Sequence, residues 1–487
     1  MVPPSPPDRP TARPTKRSTN APARELPRTL GLVDSVMLVA GVVIGTGIFL
    51  TTGRMAADLP SAPLILFVWA AGGALSLAGA LAYAELGAMM PQAGGQYVYL
   101  REAYGDMAGF LFGWITLLVY QSGSIAAVAV GFSEYFGTFA PAMGTDNILL
   151  SVPIARWTWQ VSAGQCGAAL VITLLTLVNI LGVREAAWVG NVLTSIKIGA
   201  LVVFALVGFW LAPAAAALTG AGAAAGSTDA IKMSAGAALT GLGAAIIAVL
   251  WTYDGWNNLN FSAGEIKNPS RNIPLALFLG TGLVTVLYVA VNAAYLRALT
   301  IPEMSGVTRI AEKAAGVLWG GHSARLVAAA VVVSSLGCVN GMILTGARVY
   351  YAMARDGLFF AGIGSVHSRF ATPATALATQ GVWSIVLTLS GSYDQLFTYA
   401  VFAGILMYAA SAASVFTLRR KRPDLPRPYR ALGYPALPAL YIGGLLLIIG
   451  NTIYTRPIEA VAGLAFIAAG VPAYLHFANL KRRQPEA

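Results

Sequence analysis

Trp251-Thr252-Tyr253-Asp254-Gly255-Trp256-Asn257-Asn258-Leu259-Asn260-Phe261 stands at the end of an apolar run near 237–262. An Asp, a Gly and three Asn do not make a comfortable helix in hydrocarbon, where a charge at the bilayer centre costs about 2.5–3.5 kcal/mol. A helix broken at Asp254-Gly255 resolves the conflict. The half-helix before it then ends in free carbonyls, which suit an ammonium group. Asp254 either meets that ammonium or satisfies freed backbone donors. Trp251 is either core packing or an aromatic lid over the site.

Working outward, the first apolar run carries a matching weakness, Gly41-Val42-Val43-Ile44-Gly45-Thr46-Gly47-Ile48-Phe49. Each interior Gly costs about 1 kcal/mol relative to Ala. Unwound backbone at membrane depth is tolerated only where it is buried in protein or lines a wet cavity. A break here starts the outer half near Gly47, whose uncapped N–H groups and positive dipole end suit a carboxylate. The alternative is an unbroken helix packed closely through small residues. Taken together, the two interruptions present opposite backbone poles to one pocket. Such a pocket fits a zwitterion with its carboxylate and ammonium one carbon apart, an α-amino acid.

The rest of the chain explains why the runs are membrane spans. Of 487 residues, 57% are apolar and 10% charged, against roughly 25% charged in soluble domains. This excludes a water-soluble globule, a disordered chain and a disulfide scaffold, and leaves an all-α polytopic membrane protein. A span needs about 20 apolar residues. Twelve candidates lie near 31–57, 62–90, 105–136, 165–183, 187–212, 237–262, 273–297, 316–354, 374–392, 394–418, 434–453 and 457–477. None shows the period-2 alternation of a membrane strand.

The net charge of +11 reflects topology rather than nucleic-acid binding. Of 31 Lys and Arg, 22 fall in one set of flanking segments, eight in the opposite loops and Lys197 within a span. That bias places both termini in the cytoplasm, with the chain in the plasma (inner) membrane. Residues 1–28 read as a disordered tail and 478–487 as a second cytoplasmic tail. Segments 137–164 and 213–236 read as longer outer loops. Cys166 and Cys338 read as buried free thiols. His322, His367 and His476 have no metal-ligand spacing, and no cofactor motif is present. Neither a metal nor a cofactor is expected.

The two broken runs also define a repeat. Spans one to five cover 30–210 and spans six to ten 237–418, with two further helices over 434–477. Five is odd, so the second half enters the membrane from the opposite side. This is the arithmetic of an inverted repeat, common among secondary transporters.

Lys197, in Thr194-Ser195-Ile196-Lys197-Ile198-Gly199, lies deep in span five. A buried ammonium needs acceptors. Carbonyls freed by the first break are the obvious ones, with Ser334 and Ser335 in span eight as further candidates. A fixed lysine there can take the place that sodium occupies beside unwound carbonyls in coupled transporters. The alternative is a lysine snorkelling to an interface.

Three stretches resemble the amino acid–polyamine–organocation (APC) superfamily, and closely its L-type amino acid transporter branch. They are Val43-Ile44-Gly45-Thr46-Gly47-Ile48-Phe49; Tyr253 to Phe261 continuing through Glu265-Ile266-Lys267-Asn268-Pro269-Ser270-Arg271-Asn272-Ile273-Pro274; and Arg422-Pro423-Asp424-Leu425-Pro426-Arg427-Pro428-Tyr429. The resemblance covers about 30–430. It implies two inverted five-helix repeats, helices one and six unwound at mid-membrane, alternating access, and no sodium requirement where the fifth helix carries a lysine. Lys197 matches that lysine. The resemblance places the substrate carboxylate at Ile44, Gly45, Thr46 and Gly47 and the ammonium at carbonyls near Ile44 and Trp251. Trp251 matches the gating aromatic, beside Asp254 and Gly255. Gly123, Ser335 and Cys338 would line the side-chain pocket. Thr46 replaces the more usual serine, and Gly404 stands where some animal relatives carry a polar residue. Animal relatives also bond to a single-span glycoprotein through a cysteine before span four. Residues 137–164 contain none, so no disulfide-linked ancillary subunit is expected.

The leading reading is sodium-independent secondary transport of small to medium neutral L-amino acids, as an exchanger. Proton-coupled uptake and a non-transporting sensor are the alternatives. An enzyme would need a catalytic cluster facing a cavity, and the sequence offers none.

Overall fold

The computed structural model describes residues 26–59, 61–154, 157–211, 235–321, 323–390 and 393–483. The tail 1–25, the segment 212–234, His322 and the last four residues lie outside the described residues.

The chain is mostly helical. The first run forms two helices, α1 (Leu32–Val43) and α2 (Gly47–Asp58). Next come α3 (Ala62–Met89), α4 (Gln96–Tyr104), α5 (Asp106–Ile115) and α6 (Gln121–Phe136). The last two are joined by a π turn over Thr116–Tyr120. Then follow α7 (Ala163–Leu181), α8 (Val183–Leu211), α9 (Ala235–Thr252), the one-turn α10 (Asn258–Phe261) and α11 (Pro269–Ala298). The chain continues with α12 (Ser323–Arg355), α13 (Ala374–Leu389), α14 (Tyr393–Lys421), α15 (Ala436–Thr455) and α16 (Pro457–Arg483). Among the described residues, ten helical stretches are long and apolar enough to cross a membrane. Two shorter apolar helices, Gly241–Thr252 and Ala374–Leu389, stand where the sixth and ninth spans are expected.

Local signals set several boundaries. Ser61 Oγ accepts from Leu64 N (3.4 Å) ahead of Pro63 in the first turn of α3. Ser162 and Gln165 form a reciprocal capping box at the start of α7 (3.2 and 2.7 Å). Such a box satisfies two orphan donors at once. The eighth span is shorter than the sequence suggested: Ile310–Trp319 is a separate helix, and α12 begins at Ser323.

Three expectations are corrected. The segment 137–164 is not only loop. Strands β1 (Ile148–Ile154) and β2 (Trp157–Ser162) form an antiparallel hairpin with Val152 opposite Trp159. Trp157-Thr158-Trp159-Gln160-Val161 alternates strand-favouring side chains, a signal too short for a search for spans. Trp159 Nε1 donates to Leu389 O (2.8 Å), tying the hairpin to the last turn of α13. Cys166 is exposed on α7, whereas Cys338 is buried. Finally, Lys197 is not the lone cation inside a span. Arg348, grouped above with the flanking basic segments, is fully buried in α12 and ion-paired with Glu265.

The first interruption sits at the centre of this bundle. Helix α1 packs on α8, α11 and α12, and α2 packs on α9. Val39, Ala40, Ile44 and Ile48 are wholly buried. Away from this centre, buried Glu85 of α3 accepts two bonds from Arg419 of α14 (2.9 and 2.6 Å) and one from Ala431 N (2.7 Å). Arg427 donates to the carbonyls of Leu418 and Arg422 at the end of α14 (3.0 and 2.8 Å). The basic cluster after α14 is therefore built into the fold as well as basic.

Candidate functional site

A helix that stops inside a bundle leaves four carbonyls without intrahelical partners, and burial requires each to be satisfied. The partners of α1 are specific. Gly41 O accepts from Lys197 Nζ (2.6 Å) and Val42 O from Cys338 Sγ (3.0 Å). Val43 O accepts from Gly45 N (2.9 Å) and Tyr288 OH (3.0 Å). Ile44 O takes Lys197 Nζ (2.8 Å) and Ser334 Oγ (2.9 Å). Side chains of α8, α11 and α12 thus terminate α1. Among the described residues, nothing caps the N–H groups of Thr46, Gly47 and Ile48, where α2 begins. That end of the interruption remains a donor site with the positive pole of α2 behind it.

Lys197 is 1% exposed. Its ammonium also lies 3.4 Å from Ser334 O, so it joins α8, both sides of the α1 terminus and α12. A snorkelling lysine would leave this position for an interface; the three carbonyl acceptors exclude that reading here.

The second run leaves the helix after Thr252 and resumes at Asn258. Gly255 has φ +107°, which L side chains rarely adopt, and a Cβ there would lie 2.6 Å from Val42 Cγ1. The two interruptions therefore touch where only glycine fits. Gly255→Ala is expected to cost about 2–5 kcal/mol, combining left-handed strain with overpacking. A drop in the thermal unfolding midpoint in detergent checks this, and an unchanged midpoint contradicts it.

Tyr288 OH stands between the ends of both half-helices, 3.0 Å from Val43 O and 3.4 Å from Thr252 O. Thr252 Oγ1 also lies 3.0 Å from Thr51 Oγ1 of α2. The Asn residues beyond the turn are not loose polar groups. Asn258 Oδ1 accepts from Gln121 Nε2 and Thr345 Oγ1 (3.0 Å each). Asn257 Nδ2 donates to Gln96 Oε1 (2.8 Å). Asn260 Oδ1 accepts from Tyr99 OH (3.0 Å). Asp254 receives the hydroxyl of Tyr120, which lies 2.5 Å from Tyr408 OH.

One cavity lies between the interruptions. Gly45, Thr46 and Gly47 line it from one side, and Trp251, Asp254 and Gly255 from the other. Cys338 also lines it, although its thiol is engaged with Val42 O. Three expected residues are placed differently. Ile44 lies behind the lining, with its carbonyl engaged by two donors, Lys197 Nζ and Ser334 Oγ. Ser335 donates to Val331 O of its own helix (2.8 Å), and Ser334 faces the interruption in its place. Gly123 is not in the lining, although a Cβ there would meet nothing within 4 Å. Tyr120, Gln121 and Ser124 line the cavity instead. The π turn that ends at Tyr120 carries an extra residue and changes the face that α6 presents. Nothing in the local sequence marks such a turn. Tyr120 and Tyr408 were missed because their importance comes from Asp254, far away in sequence.

A cavity flanked by free N–H groups at one wall and by a carboxylate and a half-helix end at the other can hold a carboxylate and an ammonium together. Comparison with known proteins agrees in kind. Residues 30–474 match the amino acid permease family. The chain is 30% identical over 464 residues to the serine/threonine exchanger SteT of Bacillus subtilis, covering 94% of this chain and 98% of that protein. It is 30% identical over 465 residues to the b(0,+)-type amino acid transporter 1 of Homo sapiens, covering 94% and 89%. The large neutral amino acids transporter small subunit 2 of Homo sapiens is likewise 30% identical, over 468 residues, covering 92% and 80%. On this match, with a polytopic helical fold and the interrupted helices around its central cavity, the chain belongs to the amino acid permease family of the APC superfamily, among transporters rather than enzymes.

Proposed function

We propose that this protein is a sodium-independent exchanger of neutral L-amino acids, working by alternating access. The reading takes twelve spans, arranged as inverted repeats over 30–210 and 237–418 with two further helices over 434–477, both termini in the cytoplasm and no ancillary subunit. One observation carries it: Thr46 and Gly47, whose N–H groups are uncapped, line one cavity together with Asp254 and the end of α9. The substrate carboxylate binds at Thr46 and Gly47. Its ammonium binds on the Trp251–Asp254 side, since Ile44 O is already engaged. Lys197, held by Gly41 O and Ile44 O, supplies a fixed cation at the first interruption and removes the need for a bound sodium. Two relatives support neutral substrates and exchange by their names, a serine/threonine exchanger and a large neutral amino acids transporter subunit.

Substrate binding favours the closed state, and rocking of one bundle against the other then exposes the cavity alternately. The test is uptake of labelled serine into proteoliposomes. Preloading with unlabelled serine is expected to accelerate uptake at least tenfold. Replacing sodium by choline is expected to leave the rate unchanged. Inhibition by sugars in preference to amino acids, or dependence on sodium, would overturn the reading. Uptake into empty vesicles that collapses with a protonophore would favour proton coupling instead.

A further inference from the structure

A second cavity adjoins the first. It lies between α3, α9, α14 and α15, and Leu250, Ile405, Leu445 and Ile448 give it an apolar wall. Tyr120, Trp251 and Asp254 line both cavities. The two spaces therefore meet along these three side chains, the more polar one facing the interruptions and the more apolar one behind them.

Tyr120 is fixed in this boundary from several directions. It is the last residue of the π turn in the third span. Its hydroxyl bonds Asp254 and lies 2.5 Å from Tyr408 OH. Its ring stands edge-on to Tyr408, with centroids 5.7 Å apart. The ring also packs against bare backbone: a Cβ on Gly404 would lie 2.8 Å from two of its carbons. Gly404 is thus the seat of an aromatic ring, which explains why a larger residue does not stand there.

We propose that Tyr120 is a specificity-determining partition. Its ring separates the amino acid site from the apolar cavity and restricts the protein to small side chains, and the space behind it has the chemistry to receive a large aliphatic or aromatic side chain. This rests on the reading that the substrate occupies the cavity between the interruptions. The volume of the ring sets the restriction, and the hydroxyl serves to orient Asp254.

The test compares wild type with Tyr120→Phe, Tyr120→Leu and Tyr120→Ala in proteoliposomes preloaded with serine. Exchange of labelled serine is measured against competing alanine, leucine and phenylalanine. Leucine and phenylalanine are expected to gain at least tenfold over alanine in Tyr120→Ala and by a smaller factor in Tyr120→Leu. Tyr120→Phe is expected to keep the wild-type ratio. Tyr120→Leu retains an apolar side chain at the position and carries the test if the alanine variant does not fold. An unchanged ratio in an active leucine or alanine variant overturns the partition alone. An equal shift in Tyr120→Phe also overturns it, because the hydroxyl would then be the determinant. A wild-type protein that exchanges no amino acid overturns the proposed function together with this inference.

Discussion

Lys197→Met and Lys197→Ala are expected to lower amino acid exchange at least a hundredfold without loss of the folded protein. The ammonium donates to Gly41 O at 2.6 Å and Ile44 O at 2.8 Å, with Ser334 O at 3.4 Å. Hydrogen bonds from a charged donor contribute about 1.5–3 kcal/mol each. A hundredfold rate change corresponds to roughly 2.7 kcal/mol, which the two short bonds supply to the extent that they hold the end of α1 more firmly in the transport transition state than in the resting state. Gly41 O would lose its side-chain donor, whereas Ile44 O would keep Ser334 Oγ. The end of α1 would then no longer be tied to α8. The methionine variant keeps most of the volume, so a deficit shared by both variants reports the charge and its hydrogen bonds. Exchange rates normalised to reconstituted protein make the measurement. Turnover within twofold of wild type would show that this lysine is a passive part of the core.

The second large effect concerns stability. Arg348 and Glu265 are 1% and 0% exposed and meet through two bonds, Nε to Oε2 at 2.7 Å and Nη2 to Oε1 at 3.0 Å. Arg348 also donates to Leu344 O (2.5 Å). The same Glu265 receives the chain entering α1: its carbonyl accepts from Thr29 N (2.8 Å) and Leu30 N (2.9 Å), and Lys267 N donates back to Leu30 O (2.8 Å). The ion pair therefore fixes the platform on which the first helix begins. Removing one partner of a buried pair leaves an uncompensated charge and costs about 3–5 kcal/mol, whereas replacing both by apolar residues is often close to neutral. Arg348→Leu and Glu265→Leu are each expected to lower the thermal unfolding midpoint strongly in detergent. The double variant is expected to recover more than half of the loss. Additive losses in the double variant, or single variants as stable as wild type, would contradict this account.

Much of the architecture was legible because hydrocarbon makes simple demands. Long apolar runs become helices, since backbone groups there must bond within the segment. Glycines around Thr46, and Asp254 beside Gly255, marked where those helices stop. The need of Lys197 for carbonyl acceptors followed from its charge. Other parts were not legible. Ser334 and Ser335 are adjacent in sequence, but successive residues on a helix point about 100° apart, so only the packed rotation of α12 chooses between them. The π turn before Gln121 changes the face that α6 presents and brings Tyr120 to the boundary between cavities. Arg348 read as part of a basic flank because Glu265 lies 83 positions away.

By itself, then, the sequence determined the helical membrane class and the two places where helical backbone gives way. Both follow from local energies, the burial of apolar side chains and the cost of glycine or charge within a helix. The tertiary structure alone decided which side chain meets each freed carbonyl, which of two neighbouring serines faces the interruption, and which ring divides the cavities. Those choices depend on distances of a few ångströms between helices remote in sequence, and no local preference specifies them.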